Sequence, residues 1–147
     1  AWTRADGQTD PGDALRALEL FEGGGDRLFV KGARSGRPVG DLAFTWGMAA
    51  FETLALGTPL WDINAQPTAL PRSFFEGWER PPLDFSLDLF AYVQAVRAGL
   101  SIRRVPVHFG PRLAGDGNSE TLAGKLRTAR RTISYSLGLA RDLRGRR

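Results

Sequence analysis

The chain has 147 residues, of which 42% are hydrophobic and 24% are charged, proportions typical of a single folded domain with a hydrophobic core. It contains no cysteine and one histidine, His108. The composition therefore excludes disulfide frameworks, thiol nucleophiles and cysteine or multi-histidine zinc sites within these residues. No apolar run reaches the roughly 18 residues that a membrane-spanning helix requires.

The net charge of +4 is unevenly distributed along the chain. Residues 125–147 carry eight basic groups and one acid, a charge of +7, whereas residues 1–124 carry twelve basic and fifteen acidic groups, a charge of −3. A basic C-terminal segment suits an anionic partner, either lipid headgroups or nucleic acid. A solvated, arginine-rich helix end is the alternative interpretation.

The first half of the chain alternates between helical and extended patterns. Asp10, as N-cap, and Pro11 predict the start of a helix that ends at the glycines 23–25. The predicted apolar stripe of this helix is Ala14, Leu15, Leu18 and Phe21. We then expect a short strand at 28–30, a loop at 32–38, a buried or interface-lying helix at 42–56, and an extended segment at 59–67.

The second half continues the same rhythm. We expect a short helix at 73–78, an apolar helix at 84–98, a strand at 102–109 and a last helix at 119–143. Alternating helices and strands predict an α/β fold with a largely parallel sheet covered by helices. No strand is predicted before the first helix, which is unusual for such a sheet.

Asp6 and Gln8 lie in the loop before the first helix. Side chains two residues apart in an extended loop point the same way, and carboxylate and amide oxygens are ligands that Mg²⁺ and Mn²⁺ accept. Ordinary turn chemistry explains the same residues equally well. The sequence alone leaves both interpretations open.

Three cations, Lys31, Arg34 and Arg37, fall within seven residues of a glycine-containing segment. Such a cluster can bind a phosphate or diphosphate. A solvated loop is the alternative explanation.

Asp62, Asn64 and Gln66 alternate along the segment predicted to be extended, so they would share one face. One carboxylate and two amides on one face offer hydrogen bonds that orient a polyhydroxylated ligand. The same pattern is also typical of the wet face of an edge strand.

Three single residues complete the candidates. Asp88 lies between apolar residues on the predicted 84–98 helix, where a carboxylate can acquire a functional proton affinity. A capping or surface role is the alternative for Asp88. Arg112 follows the predicted strand at 102–109, and loops after strands line the ligand crevice of open α/β sheets. His108 is expected to be a packed histidine.

Five motifs occur in an order that resembles family 2 glycosyltransferases, in the branch similar to dolichyl- or polyprenyl-phosphate mannose synthases. They are Ala-Asp-Gly-Gln-Thr-Asp-Pro at 5–11, Val-Lys-Gly-Ala-Arg-Ser-Gly-Arg-Pro at 30–38, Trp-Asp-Ile-Asn-Ala-Gln-Pro-Thr at 61–68, Asp-Phe-Ser-Leu-Asp-Leu at 84–89 and Val-Pro-Val-His-Phe-Gly-Pro-Arg at 105–112. The third is the most specific of the five. The resemblance spans nearly the whole chain.

The resemblance implies a GT-A domain that binds a nucleotide-diphosphate sugar through Mg²⁺ or Mn²⁺ and passes the sugar, with inversion, to a lipid phosphate or another acceptor. Asp6 matches the second acid of the family's metal-binding Asp-x-Asp motif and is the expected catalytic residue. Gln8 matches a glutamine near the metal. Arg4 stands where the family has the first acid, and Gly7 where it usually has an aliphatic residue.

The resemblance also assigns residues to the substrates. Arg34, Thr45 and Arg112 match positions at the acceptor phosphate, the last within an Arg-x-x-Gly stretch, although Gly117 to Glu120 do not match the residues that usually follow. Further substrate contacts are expected from Lys31, Arg37, Asp62, Asn64 and Gln66. A phosphate acceptor is already ionised at neutral pH, since its second pKa is about 6, and needs no strong base. A hydroxyl acceptor would need one, and Asp88 is the candidate.

The expected organisation is a partial GT-A domain at 1–118, with its nucleotide-binding N-terminal part missing, followed by a basic amphipathic helix at 119–147. The stripe of that helix is Leu122, Leu126, Ala129, Ile133, Leu137 and Ala140. A helix of this kind can lie on an anionic membrane surface, so we expect a cytoplasmic protein with peripheral contact to the inner face of the membrane.

Two other functions remain open at this point. One is a non-catalytic remnant that binds sugar or lipid phosphate, which Arg4 and the missing nucleotide-binding part favour. The other is a nucleic-acid-binding module that uses the basic tail. No aromatic residues are interleaved with those charges in the pattern of single-strand binders, and no nucleic-acid partner is expected.

Overall fold

The computed structural model describes residues 1–3, 6–22, 25–36, 39–110 and 122–145, and it has a mixed α/β architecture. Its helices are α1 (Gly12–Glu19), α2 (Val39–Leu56), α3 (Arg72–Glu76), α4 (Leu87–Arg97) and α5 (Leu122–Gly145). Its strands are β1 (Leu28–Ser35), β2 (Thr68–Ala69) and β3 (Ser101–His108), and a 3-10 turn at Gly25–Arg27 precedes β1.

The sheet has the strand order β2-β1-β3 and is mixed, where a largely parallel sheet was expected. β1 and β3 run parallel over eight residue pairs, from Leu28 beside Ser101 to Ser35 beside His108. β2 runs antiparallel to β1, with Val30 beside Ala69 and Lys31 beside Thr68. Trp2 extends the sheet beyond β2 through two backbone hydrogen bonds of 2.9 Å with Thr68.

Helix α1 covers one face of the sheet. Its Ala17 is fully buried, and the partly buried Phe21 joins the same cluster. The sheet contributes Leu28, Val30, Ala69 and Val105 to this cluster. The predicted stripe was wrong at Leu15 and Leu18, which are 63% and 46% exposed, because the buried face of this short helix runs through position 17.

The start of α1 differs by one residue from the prediction: the helix begins at Gly12, and Pro11, not Asp10, is at the N-cap position. The Asp10 carboxylate still accepts a hydrogen bond of 2.8 Å from the backbone N–H of Gly12, so it satisfies one donor at this end of the helix. The helix ends at Glu19, before the glycines that were expected to stop it.

The larger core lies on the opposite face of the sheet, between β1, α4, α2 and α5. Its buried residues are Phe29, Leu56, Leu60, Ile63, Leu89, Phe90, Ala91, Tyr92, Val93, Ala95, Leu139 and Ala140. The rings of Phe29 and Tyr92 stack at 6.0 Å between centroids. Helices α2 and α5 pack against each other at the outer side of this core.

Two segments differ from the predicted pattern. The segment 32–35 was expected to be a loop, but it continues β1, because its pairing with β3 extends to Ser35. The segment 59–67 was expected to be extended, but residues 62–64 and 66 form bends and turns, and Asp62 has a positive φ of 43°. Asp62, Asn64 and Gln66 therefore do not share one face.

Helix α5 buries part of the stripe that was expected. Ala140 is buried as predicted, whereas Leu126 and Leu137 are 61% and 45% exposed, and Ser136 and Leu139, outside the predicted stripe, are buried. His108, expected to be packed, is exposed at the end of β3. Among the described residues, no helix is long and apolar enough to cross a membrane.

Gly32 lies where β1 crosses closest to the segment that precedes β2. A Cβ atom at this position would lie 2.4 Å from the Gln66 carbonyl oxygen, a backbone atom that cannot rotate away. The Gly32 N–H also donates a 2.9 Å hydrogen bond to the Pro67 carbonyl. Glycine is therefore the residue that this close approach requires.

We expect Gly32→Ala to destabilise the fold by about 1–3 kcal/mol, since the added methyl group must push two backbone segments apart. Chemical denaturation measures the change. Gly47→Ala is the matched control, because a Cβ at Gly47, inside α2, meets no atom within 4 Å. Equal stability of the two variants would contradict the steric argument.

Candidate functional site

A buried polar network centres on the Asp88 carboxylate, at the start of α4. The Lys31 ammonium is fully buried and lies 2.7 Å from Asp88 Oδ1. Thr68 Oγ1 and Trp2 Nε1 donate to the same oxygen at 3.1 and 3.3 Å, and Gln66 Nε2 donates to Oδ2 at 2.8 Å. Four donors from three separate segments, namely β1, residues 66–68 and Trp2, therefore converge on one carboxylate.

The network affects the protonation of Lys31 and the chemical role that is open to Asp88. Burial lowers the pKa of Lys31, and the Asp88 carboxylate opposes this by stabilising the ammonium form. Both Asp88 oxygens already accept hydrogen bonds, so the geometry favours a positioning role over the expected role as a general base. Lys31 is enclosed in the core and does not join a phosphate clamp on a loop.

A second ion pair joins Arg34 of β1 to Asp62. The Arg34 backbone N–H donates to Asp62 Oδ2 at 3.1 Å, Nε donates to Oδ1 at 2.9 Å, and Nη2 contacts Oδ1 as well. The guanidinium also lies over the Phe109 ring, 5.4 Å from its centroid. These contacts fix the orientation of Arg34 through two other parts of the fold, the segment that contains Asp62 and the residue after β3.

Arg104 is a positioning residue that sequence reasoning missed. Its Nη1 donates to the Gly32 carbonyl at 2.8 Å, and its Nη2 donates to the Tyr92 hydroxyl at 2.9 Å and to the Trp61 carbonyl. The guanidinium lies 5.2 Å from the centroid of the Tyr92 ring. An arginine on a predicted strand carries no sequence signal for this role.

The loop that contains Asp6 and Gln8 lies beside the end of β3. Gln8 Nε2 donates to the Gly110 carbonyl at 3.3 Å, and the Gly110 N–H donates to the Gln8 carbonyl at 2.9 Å. The Asp6 carboxylate accepts the Gln8 backbone N–H at 3.3 Å. Asp6 and Gln8 are therefore held close together, next to the residue that follows Phe109.

The donor chemistry of this loop fits a hard divalent cation. Asp6 supplies carboxylate oxygen and Gln8 supplies amide oxygen, and Mg²⁺ sites commonly use one or two carboxylates together with substrate phosphates. In the part of the chain that the structure describes, no cluster of three or more His, Asp or Glu side chains lies close enough to hold a metal ion.

A cavity of about 70 Å³ lies between α2, α5 and the segments at 63–64 and 85–89. The side chains that line it are Arg34, Phe44, Thr45, Met48, Ala49, Glu52, Ile63, Asn64, Phe85, Ser86, Leu89, Thr128, Ala129 and Thr132. Three of the predicted substrate residues, Arg34, Thr45 and Asn64, thus line one space.

Glu52 is a buried carboxylate on the wall of this cavity. Ser136 Oγ lies 2.5 Å from Oε2, whereas Oε1 has no hydrogen-bond partner among the described residues. Burial raises the pKa of Glu52 to about 7, and the Ser136 hydrogen bond opposes this. Sequence reasoning gave Glu52 no role, although it is the single charge within the apolar segment 42–56.

The other predicted site residues are distributed over different parts of the structure. Gln66 and Lys31 belong to the Asp88 network, and Asp62 holds Arg34. Arg37 and Arg112 lie outside the described residues, as does Arg4.

Comparisons with protein-family models, with curated proteins and with solved structures find no match for this chain.

We expect Asp88→Leu to destabilise the protein by about 3–5 kcal/mol, because it leaves the Lys31 ammonium buried without its counter-charge. The double variant Lys31→Met/Asp88→Leu should recover most of this loss, since it removes both charges. Urea denaturation of the two variants and the parent measures both effects.

The exposed pair of Arg72 and Glu76 provides the control, with side chains 89% and 57% exposed and Nε 2.7 Å from Oε1. Glu76→Leu should change the stability by less than about 1 kcal/mol. A double variant as unstable as Asp88→Leu alone would show that the ion pair is not the source of the loss.

Proposed function

We propose that this protein is a metal-dependent, inverting glycosyltransferase that moves a sugar from a nucleotide-diphosphate sugar to a polyprenyl phosphate. The observation that carries the proposal is a chain of contacts between the two halves of the expected site. Gln8 hydrogen-bonds to Gly110, the neighbouring Phe109 ring lies under Arg34, and Arg34 lines the cavity. Direct contacts thus connect the candidate metal ligand Gln8 to Arg34, a cation whose orientation is fixed.

The fold is compatible with the later part of a GT-A domain. Parallel β1 and β3, with α1 on one face and α4 on the other, agree with such a domain, and β2 adds an antiparallel strand. The resemblance in the five sequence motifs supplies the reaction class.

The cavity suits an amphipathic acceptor. Seven of its lining residues are apolar, so it can cover hydrocarbon, while the Arg34 guanidinium beside it can pair with a phosphate. Asp62 uses Nε and Nη2 of Arg34, so Nη1 is the group that would donate to the acceptor. A phosphate acceptor is ionised at neutral pH and requires no base. This agrees with the finding that both Asp88 oxygens already accept hydrogen bonds.

Asp6 and Gln8 are the residues that would hold Mg²⁺ or Mn²⁺. The metal, when bound, neutralises the charge that develops on the departing diphosphate. The hydrogen bonds of Gln8 to Gly110 keep this loop in place, so the chain supplies a fixed pair of oxygen ligands.

The deciding experiment is a transfer assay on the full natural chain, with labelled nucleotide-diphosphate sugars, a short polyprenyl phosphate and Mg²⁺ or Mn²⁺. We expect Asp6→Ala to lower the rate by more than about 100-fold, because the diphosphate loses its metal-bound stabilisation. Asp26→Ala is the matched control, since Asp26 is an exposed acid on the 3-10 turn before β1 and should leave the rate unchanged.

The same assay separates the alternative functions. Metal-independent binding of a sugar or lipid phosphate without transfer would support a non-catalytic binding protein. Transfer that Asp6→Ala leaves intact would contradict the metal assignment.

We also propose that α5 provides peripheral contact with an anionic membrane. Its exposed face carries five arginines and two leucines, namely Arg127, Arg130, Arg131, Arg141, Arg144, Leu126 and Leu137. Arginine side chains attract anionic headgroups, and the exposed leucines can enter the interface. This arrangement is compatible with a cytoplasmic protein that acts on a lipid-linked substrate.

We expect the protein to float with vesicles that contain anionic lipid and to remain unbound with neutral vesicles. Reversing Arg127, Arg130 and Arg141 to Glu should abolish flotation. Reversing Arg72, Arg97 and Arg103, which are exposed on other elements, changes the net charge equally and should reduce it less. Equal loss in both triple variants would mean that net charge alone, and not α5, determines binding.

A further inference from the structure

The cavity between α2 and α5 contains an acceptor that no described residue satisfies. Glu52 is fully buried, and its Oε1 makes no hydrogen bond. A buried polar atom without a partner destabilises a protein, so native structures rarely keep one. The cavity is a space beside Glu52 from which a ligand can bring the missing donor.

The groups around Glu52 do not supply that donor. From α5, Ser136 has one hydroxyl hydrogen and two acceptors within reach, Glu52 Oε2 at 2.5 Å and the Thr132 carbonyl at 2.8 Å. Thr132 Oγ1 lies 3.0 Å from the Thr128 carbonyl. The hydroxyl groups of Ser136 and Thr132 are therefore already engaged, and Oε1 remains unsatisfied.

The charges around the cavity favour a neutral donor. Arg34 is the other charged side chain among the described residues of the lining, and it is paired with Asp62. The remaining lining from α2, from 63–64 and from 85–89 consists of apolar side chains and the polar, uncharged Thr45, Asn64 and Ser86. A cationic donor would have to lose its hydration in this mostly apolar space, a cost that a neutral hydroxyl group largely avoids.

We propose that this cavity is a binding site for a hydroxyl-bearing aliphatic molecule, whose hydroxyl group donates to Glu52 Oε1 and whose hydrocarbon contacts Met48, Ala49 and Ile63. The evidence for this site is the cavity and the unsatisfied Glu52 Oε1 atom, and the site does not require the proposed transfer reaction. A space of about 70 Å³ takes a short chain, and the cavity is open, so a longer chain can extend outwards.

The affinity of the cavity for its ligand should depend on pH. Since the pKa of Glu52 is about 7, the carboxyl group is largely neutral at pH 6 and largely ionised at pH 8. A hydroxyl group donates a stronger hydrogen bond to a carboxylate than to a neutral acid. The affinity for an alcohol should therefore rise with pH, and the alcohol should in turn lower the pKa of Glu52.

The test compares 1-hexanol with its isomer 1-methoxypentane, which has the same atoms but no donor. NMR of the methyl groups of Ala49, Ile63 and Leu89 in the full natural chain reports binding. We expect 1-hexanol to bind about tenfold more tightly than the ether at pH 8, and about fivefold more tightly at pH 8 than at pH 6. Glu52→Gln should remove the dependence on pH.

Equal affinities for the alcohol and the ether would overturn the proposal, as would an absence of shifts at these methyl groups. If Glu52→Gln does not fold, the comparison of the two ligands at two pH values in the parent protein still decides. Ser136→Ala is the matched variant, because it removes the donor to Oε2 and leaves Oε1 in place, so the preference for 1-hexanol should persist. These readouts depend on binding, so a failed transfer assay would leave this inference standing.

Discussion

The contact between Lys31 and Asp88 determines how the sheet, the first residues and α4 are arranged. Two opposite charges within a hydrophobic core are tolerated only when they are paired and when their remaining hydrogen-bonding groups are satisfied. Gln66 and Thr68, at the start of β2, and Trp2, in the first residues of the chain, satisfy the carboxylate. The pair therefore specifies the positions of β2, the N-terminal residues and the start of α4 together.

The rest of the site is arranged around this centre. Gln66 and Asp62 lie on the same turn-rich segment, so the segment is held at one end by Asp88 and at the other by Arg34. Arg104 hydrogen-bonds to both sides of the same region, through the carbonyls of Gly32 and Trp61. Rigid support of this kind is what a binding site needs in order to keep its polar groups in fixed orientations.

Much of the secondary structure could be predicted from the sequence, because apolar periodicity and glycine or proline punctuation report directly on local backbone preference. The helices at α2 to α5 and strand β3 follow these signals. The prediction that residues 62, 64 and 66 share one face was wrong. It assumed the two-residue repeat of an extended segment, which the positive φ of Asp62 interrupts. The exposed Leu15 and Leu126 show that a stripe on a helix does not identify its packing partner. The predicted residues Arg34, Thr45 and Asn64 come together, whereas the roles of Arg104 and Glu52 depend on contacts distant in sequence.

The indole of Trp2 joins the Asp88 network only four residues before Asp6 in the chain. The first residues of the chain and the start of α4, joined by a hydrogen bond across 86 residues of sequence, are therefore held together at this point. Substitutions at positions 2 and 88 cannot have independent effects, because each changes the same hydrogen bond. During divergence, a change at one position alters which residues are acceptable at the other, so these two positions form an epistatic pair that constrains how this site can evolve.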